Sequence, residues 1–293
     1  MIRSRAVVVL LVWASLACSL TACPVGESPV QPAEGELSFL TYNVHGLPPE
    51  ITGDDTAARM VEIGPLLRPF DVVGLQEDFD DANHGILEAA SDHLVQRRFA
   101  DLLLEKRVYG SGLAVFARLA EQDFFHEHYT DCNGYFDASS DCLASKGFQA
   151  LRLELAPGAS VDVYNTHLEA GGGADDDAAR SAHVSQLIAA MGGWSAGRSI
   201  VFMGDTNLHA SDPDDLPELE RWMSDSGLTD ACEAVACSEP DHIDRIFFRP
   251  GEGVSWEAQS WTDEPAFFDA DGVPLSDHPA ISARLAWTFV PSG

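Results

Sequence analysis

Four strand-like runs in this chain stop abruptly at a polar residue. "LSFLTYN" ends on Asn43, "DVVGLQE" on Glu77, "SVDVYNTH" on His167 and "SIVFMGD" on Asp205, with Asn207 following. The runs favour Val, Ile, Phe, Tyr and Thr, which suit pleated backbone. Two later runs begin on polar residues: "DRIFFR" on Asp244, and the last strand on Asp277 and His278 in "SDHPAI". One such residue makes a turn or caps a helix. A whole set of carboxylates, amides and imidazoles at strand ends points elsewhere, because ligand sites form at the strand ends of α/β sheets. Carboxylate and carboxamide oxygens suit a hard divalent cation. Imidazoles suit proton transfer or a developing oxyanion. Gly204 leaves room ahead of Asp205, and strand alternation turns Asp205 and Asn207 to one side.

Between these runs the apolar spacing predicts helices. One carries Met60, Val61, Gly64 and Leu67 on one face, disturbed at Pro65. A second is expected over Ile86–Leu104, with Leu87, Ala90, Leu94 and Val95 in line. "AARSAHVSQLIAAM" and "LPELERWMSDSGL" are further helices, Pro217 sitting near the start of the latter, where proline is tolerated. "GLAVFAR", "GFQALRLEL", Val254–Trp261 and Ala280–Phe289 read as strands, and "APGA" as a hairpin turn. Thr130–Lys146 reads as a loop. Strands and helices alternate irregularly, so the expected fold is a mixed-sheet α/β sandwich.

The amino-terminal residues read as a targeting segment: Arg3 and Arg5, then an apolar stretch, then "LTAC". "LTAC" resembles a bacterial lipobox, with Cys23 as the lipidated residue; plain secretion with Cys23 merely nearby is the alternative. Residues 1–22 are assigned to the signal, 23–36 to a disordered tether rich in Pro, Gly and Glu, and 37–293 to one domain. Export to the outer face of a membrane is expected. Of the remaining cysteines, Cys132 and Cys142 lie close in sequence, as do Cys232 and Cys237. An exported chain permits disulfides, and local pairing is the simplest connectivity. Neither spacing matches a zinc motif.

Lys and Arg number 17 against 47 Asp and Glu, a formal charge of −30. Nucleic-acid binders need basic surface to replace counterions on phosphate, so nucleic acid is disfavoured as a partner. The charge itself is mostly a solvated surface.

In order along the chain, "TYNVHGLP", "DVVGLQE", "NTHL", "GDTN", "IDRIFF" and "SDHPAI" resemble the motifs of the endonuclease/exonuclease/phosphatase superfamily. Its members include deoxyribonucleases, inositol polyphosphate phosphatases and neutral sphingomyelinases. The resemblance implies a four-layer sandwich of two mixed, mainly antiparallel sheets flanked by helices. It implies a Mg²⁺- or Mn²⁺-dependent phosphodiesterase, with Glu77 and Asn43 at the cation and Asp277 near it. Asp205 would activate water, Asn207 would hold the water or the phosphate, and His167 would donate to a phosphate oxygen. His278, oriented by Asp244, would stabilise the phosphorane or assist the leaving group. "CLASKGFQ" and "THLEAGGGADDDAARSAHVSQL" are similar to the sphingomyelinase branch. Lys146 is read either as a phosphate contact or as a surface lysine held by its loop. Secreted bacterial sphingomyelinases carry an exposed aromatic hairpin, and "LEAGGGADDD" has none; Trp261, Phe267 and Phe268 are the substitutes, with the core as their default place. A lipid phosphodiester is the expected substrate and a monomer the expected state. An extracytoplasmic deoxyribonuclease, a phosphomonoesterase and a non-catalytic lipoprotein of the same fold are the alternatives.

Overall fold

The computed structural model describes residues 30–102, 107–135, 141–239 and 241–291. The signal segment and Cys23 lie outside them. The elements run β1 (Ala33–Asn43), α1 (Pro49–Thr52), α2 (Thr56–Leu66), β2 (Val72–Gln76), α3 (Asp81–Ala90), β3 (Val95–Phe99) and β4 (Leu113–Ala117). They continue with β5 (Glu121–His128), β6 (Gly147–Ala156), β7 (Ala159–His167), α4 (Ala174–Gly193), β8 (Ile200–Asp205) and α5 (Leu216–Ser226). The last are β9 (Thr229–Asp230), α6 (Ala231–Ala234), β10 (Asp244–Arg249), β11 (Val254–Asp263) and β12 (Ile281–Phe289).

Two six-stranded sheets result, in the orders β11-β12-β1-β2-β4-β3 and β5-β6-β7-β8-β10-β9. Each holds one parallel pair, β1 with β2 and β7 with β8, and all its other pairs are antiparallel. Parallel strands need a crossover, which α2 and α4 supply. A parallel pair brings two carboxyl ends to the same edge: Asn43 lies opposite Gln76, the neighbour of Glu77, and His167 opposite Asp205. The antiparallel partners begin where these strands end. Asp244 starts β10 opposite Asp205, and Ile281 starts β12 opposite Thr41, just after Asp277 and His278.

Alternation along the strands feeds three apolar layers. Phe39, Val163, Val201 and Met203 pack between the sheets. Leu40, Tyr42 and Val73 face Met60, Ile63 and Leu87 of α2 and α3. Tyr164 and Phe202 face Val184, Leu187 and Met191 of α4 and Trp222 of α5. The result is the expected four-layer sandwich.

Several expectations change. No helix spans Ile86–Leu104. The chain turns extended at Ser91, and Val95–Phe99 pairs antiparallel with β4. The corner is anchored by His93, whose buried ring meets Phe70 O at 2.9 Å, and Leu94 is left exposed. Sheet pairing here outweighs the helical spacing. Val61 is also exposed; Ile63 takes the place expected for it on the buried face of α2. β5 was unforeseen because, as an edge strand, its run "EQDFFHEH" shows no clean alternation. β1 begins at Ala33, so it absorbs the end of the segment read as tether. The cysteines pair locally, Cys132 with Cys142 and Cys232 with Cys237.

Behind the site the sheets are joined by a buried polar link. Gln76 Nε2 donates to Asn165 Oδ1 at 2.7 Å, and Asn165 Nδ2 donates to the carbonyls of Leu75 (2.9 Å) and Ala114 (3.0 Å). Buried polar groups are costly only when unpaired, and truncating Asn165 would orphan several at once. Asn165→Ala is expected to lower unfolding stability by about 2–4 kcal/mol in urea titrations. A loss below about 0.5 kcal/mol would show that this link is dispensable.

Candidate active site

Asn43 is fully buried, and its amide is the hub of the site. Nδ2 donates to Glu77 Oε1 at 3.2 Å and to Asp205 Oδ2 at 3.0 Å, so it ties one sheet to the other. Its Oδ1 accepts from the backbone of His45 at 3.1 Å. Ser276 Oγ donates to Asn43 O at 2.7 Å and Arg59 donates to the carbonyls of Val44, His45 and Leu275, pinning the loops after β1 and before β12.

Three site residues, His45, Glu77 and Asn207, hold left-handed backbone with φ of 48°, 57° and 47°. Non-glycine residues seldom adopt it, and such strain gathers at functional sites. Gly204 fits for a related reason: a side chain there would collide with Thr166 O. Asp205 follows, 1% exposed, with Oδ1 accepting from Asn207 N at 3.1 Å. The Asn207 side chain reaches Leu168 O at 3.4 Å.

His278 stands between two carboxylates. Its Nδ1 lies 2.9 Å from Asp244 Oδ2 and its Nε2 lies 3.6 Å from Asp205 Oδ2. Burial works against the charged ring, but the hydrogen bond to Asp244 and the charges of Asp205 and Asp244 outweigh it and raise its pKa to about 10. Burial and then the charge of Asp244 push Asp205 up to about 7. Burial likewise raises Asp244. Glu77 goes the other way: burial opposes its charge, yet the His45 ring, Asn43 and Lys146 bring its pKa down to about 2. Two neighbouring carboxylates are thereby driven apart, one toward neutrality and one firmly ionised.

On the other flank, His167 Nε2 lies 3.4 Å from Asp205 Oδ2 and accepts from Lys146 Nζ at 3.2 Å. Burial, then the charge of Lys146, lowers its pKa well below the ordinary imidazole value, and its buried Nδ1 has no partner. Lys146 is not a surface lysine. It is 5% exposed, donates to Leu168 O at 2.8 Å and pairs with Asp141 Oδ1 at 2.8 Å. Asp141 adjoins the Cys132–Cys142 disulfide and accepts from Ala170 N at 2.6 Å.

The structure thus gathers Asn43, Glu77, Lys146, His167, Asp205, Asn207, Asp244 and His278. Asp277 sits at the rim, with its Oδ2 3.4 Å from His45 Nδ1; Glu77 Oε2 lies 3.6 Å from the same nitrogen. His45 joins the site from beside the Asn43 motif, and sequence reasoning missed Asp141, Arg59 and Ser276. His45 adjoins a motif and Asp141 a disulfide, but Arg59 sits on a helix and acts through backbone carbonyls, which leave no local signature. Among the aromatic substitutes, Phe267 is core, 4.9 Å from Tyr42, whereas Phe268 is exposed on a tight hairpin bridged to Pro274. Trp261 packs 5.1 Å from His242.

Two clefts flank this centre. One, of about 330 Å³, is lined by Glu77, Phe79, Tyr109, Lys146 and His167 among others. The other, of about 300 Å³, is lined by Phe267, Phe268, Pro274, Asp277 and His278 among others.

The chain is 32% identical over 276 residues to a sphingomyelinase of Mycobacterium tuberculosis, covering 88% of this chain and 54% of that protein. It therefore spans about half the length of the mycobacterial relatives it matches. Its fold superposes on sphingomyelinase C from Streptomyces griseocarneus with a TM-score of 0.65, at 20% identity, covering 85% of this chain and 99% of the other. A Staphylococcus aureus beta toxin variant with bound magnesium ions gives 0.62 at 17% identity, covering 85% and 99%. Residues 40–278 match the sequence model of the Endonuclease/Exonuclease/phosphatase family. With the strand-end motifs, the paired sheets and that match in agreement, this chain belongs to the Endonuclease/Exonuclease/phosphatase family.

Proposed function

We propose that the protein is a divalent-cation-dependent phosphodiesterase that hydrolyses sphingomyelin-type lipids. The observation that carries this is the placement of Asp205. Its oxygens are held by Asn43 and Asn207, its pKa is raised to about 7, and it faces a cationic His278 across 3.6 Å. A general base works best with a pKa near the operating pH. Asp205 takes the proton of the attacking water. His278, held by Asp244, donates from Nε2 to the phosphoryl or departing oxygen. On the opposite flank Lys146 adds a buried positive charge beside a neutral His167, and Asn207 holds the water or the phosphate.

The donor set also fits a cation. Glu77 stays ionised although half-buried, and its Oε2 converges with Asp277 Oδ2 on the His45 ring, which sits where positive charge is called for. Glu77 and Asn43 would hold Mg²⁺ or Mn²⁺, with Asp277 near it. Asp205, Asp244 and His278 form a second cluster close enough for an ion; in the proposed arrangement Asp244 instead serves the His278 ring, 2.9 Å from its Nδ1. When bound, the cation acts as a Lewis acid on a phosphate oxygen. The relatives' names support a sphingolipid substrate, and the −30 charge weighs against DNA.

Chelation is expected to abolish hydrolysis of sphingomyelin by the purified protein, and added Mg²⁺ or Mn²⁺ to restore it. Glu77→Gln should raise the half-activating cation concentration at least ~10-fold, since the ligand's charge is lost. Sphingomyelin is to be assayed beside phosphatidylcholine, plasmid DNA and inositol phosphates; rapid DNA nicking without lipid turnover would contradict the reading. The pH profile supplies a second test. The base must be deprotonated and the donor protonated, so kcat/KM should rise through pH about 7 and fall near pH about 10. Both limbs belong to the coupled set. Asp244→Asn should lower kcat by ~10²–10⁴ and move the alkaline limb down toward the ordinary imidazole range. An unmoved alkaline limb would remove His278 from its role.

A further inference from the structure

Three glycines in a row, Gly171, Gly172 and Gly173, follow the strand that ends on His167. Glycine has the most backbone freedom to lose on ordering, and Gly171 holds a φ of 91°. The loop is gripped from α4 by Arg180, which is 2% exposed. One Nη of Arg180 donates to the carbonyls of Gly171 at 2.7 Å and Glu169 at 3.3 Å, and the other donates to Asp177. Its Nε donates to Oδ1 of the buried Asp215 at 3.0 Å.

Asp215 carries this grip to the neighbouring loop. Its Oδ2 accepts from His209 N at 3.1 Å, two residues beyond Asn207. The near half of that loop is tied to the start of β10: Thr206 N donates to Ile243 O at 2.9 Å, and Arg245 donates to Leu208 O at 3.3 Å. The far half is tied to α4 through Asp215. Asn207 stands between these ties with a φ of 47°. A residue with a side chain keeps such backbone only where its surroundings enforce it.

The two loops meet at one carbonyl. Leu168 O accepts from Asn207 Nδ2 at 3.4 Å and from Lys146 Nζ at 2.8 Å, and Leu168 N donates to Asp205 O at 3.0 Å. Leu168 directly precedes Glu169, whose carbonyl Arg180 holds. A guanidinium suits this task, because its planar fork reaches several acceptors at once where an ammonium is a point charge.

Given the phosphodiesterase reading, we infer that the buried Arg180–Asp215 pair is a positioning device for that reaction. Arg180 holds the loop after β7, Asp215 holds the loop after β8, and together they fix the Asn207 amide against the Leu168 carbonyl. Asn207 then meets the water or the phosphate with its geometry already set. Misplacing such a group by about 1 Å costs on the order of 10²-fold in rate.

The test is a double-mutant cycle in the full chain, with sphingomyelin in mixed micelles. Arg180→Gln should lower kcat by ~10²-fold while KM changes by less than ~3-fold. In an Asn207→Ala background the same change should cost less than ~3-fold more, because a residue acting through Asn207 has nothing left to position. Fully additive losses overturn the inference. Removing one partner of a buried ion pair destabilises, whereas replacing both by apolar residues of similar volume is often neutral. Arg180→Met combined with Asp215→Leu should therefore keep the thermal midpoint of the wild type and still lose ~10²-fold in kcat. A stable double variant with wild-type kcat overturns the inference. Amide hydrogen exchange reads the device whether or not any lipid turns over. The Leu168 and Asn207 amides should exchange faster in Arg180→Gln, and unchanged exchange at both overturns the inference. Faster exchange there, with no phosphodiester turned over by the wild type, would count against the phosphodiesterase reading and leave the positioning pair standing.

Discussion

Two sheets packed face to face must each bring the carboxyl ends of a parallel pair to the same edge, and the amide of Asn43 is where they meet. That side chain bridges Glu77 of one sheet and Asp205 of the other within 3.2 Å. The other residues of the candidate site are arranged about this contact. β10 and β12 run antiparallel to their neighbours, so Asp244, Asp277 and His278 begin where the others end. The Gln76–Asn165 link lies one layer deeper and fixes the spacing of the sheets beneath it.

The electrostatics follow from the crowding. Glu77, Asp205 and Asp244 converge on one site, Asp205 and Asp244 buried and Glu77 half-buried. Such a group cannot be fully ionised without compensation. The structure meets the constraint unevenly. Asp205 moves toward the neutral form, His278 becomes a lasting cation, and Glu77 keeps its charge beside His45, Asn43 and Lys146. A cation at Glu77 would meet the same demand with a charge that also acts on phosphate. His167 remains neutral because burial and Lys146 both oppose its proton. The outcome is a carboxyl moved toward neutrality, a cationic imidazole and a neutral imidazole side by side, each set by its own surroundings.

Much of this was legible in the sequence. Apolar runs that stop or start at a polar residue mark the strand ends of the site: Asn43, Glu77, His167 and Asp205 close theirs, and Asp244 opens its own. What stayed hidden depends on tertiary pairing. The 86–104 stretch has helical spacing, yet its second half joins the sheet as an edge strand beside β4. The polar face of β5 resembles a loop because one edge lacks a neighbour. Arg59 acts through backbone carbonyls distant in sequence. Lys146 was ambiguous until its partner Asp141 was placed by the disulfide loop.

The central claim is that water is activated at Asp205. The most direct measurement compares sphingomyelin hydrolysis by the purified wild-type protein and by Asp205→Asn, in parallel with their thermal midpoints. The account predicts a rate at least ~10³-fold lower in the variant, the scale of a lost general base, with a melting temperature no lower than that of the wild type, since a crowded buried carboxylate has been neutralised. A variant rate within a few-fold of wild type would contradict it.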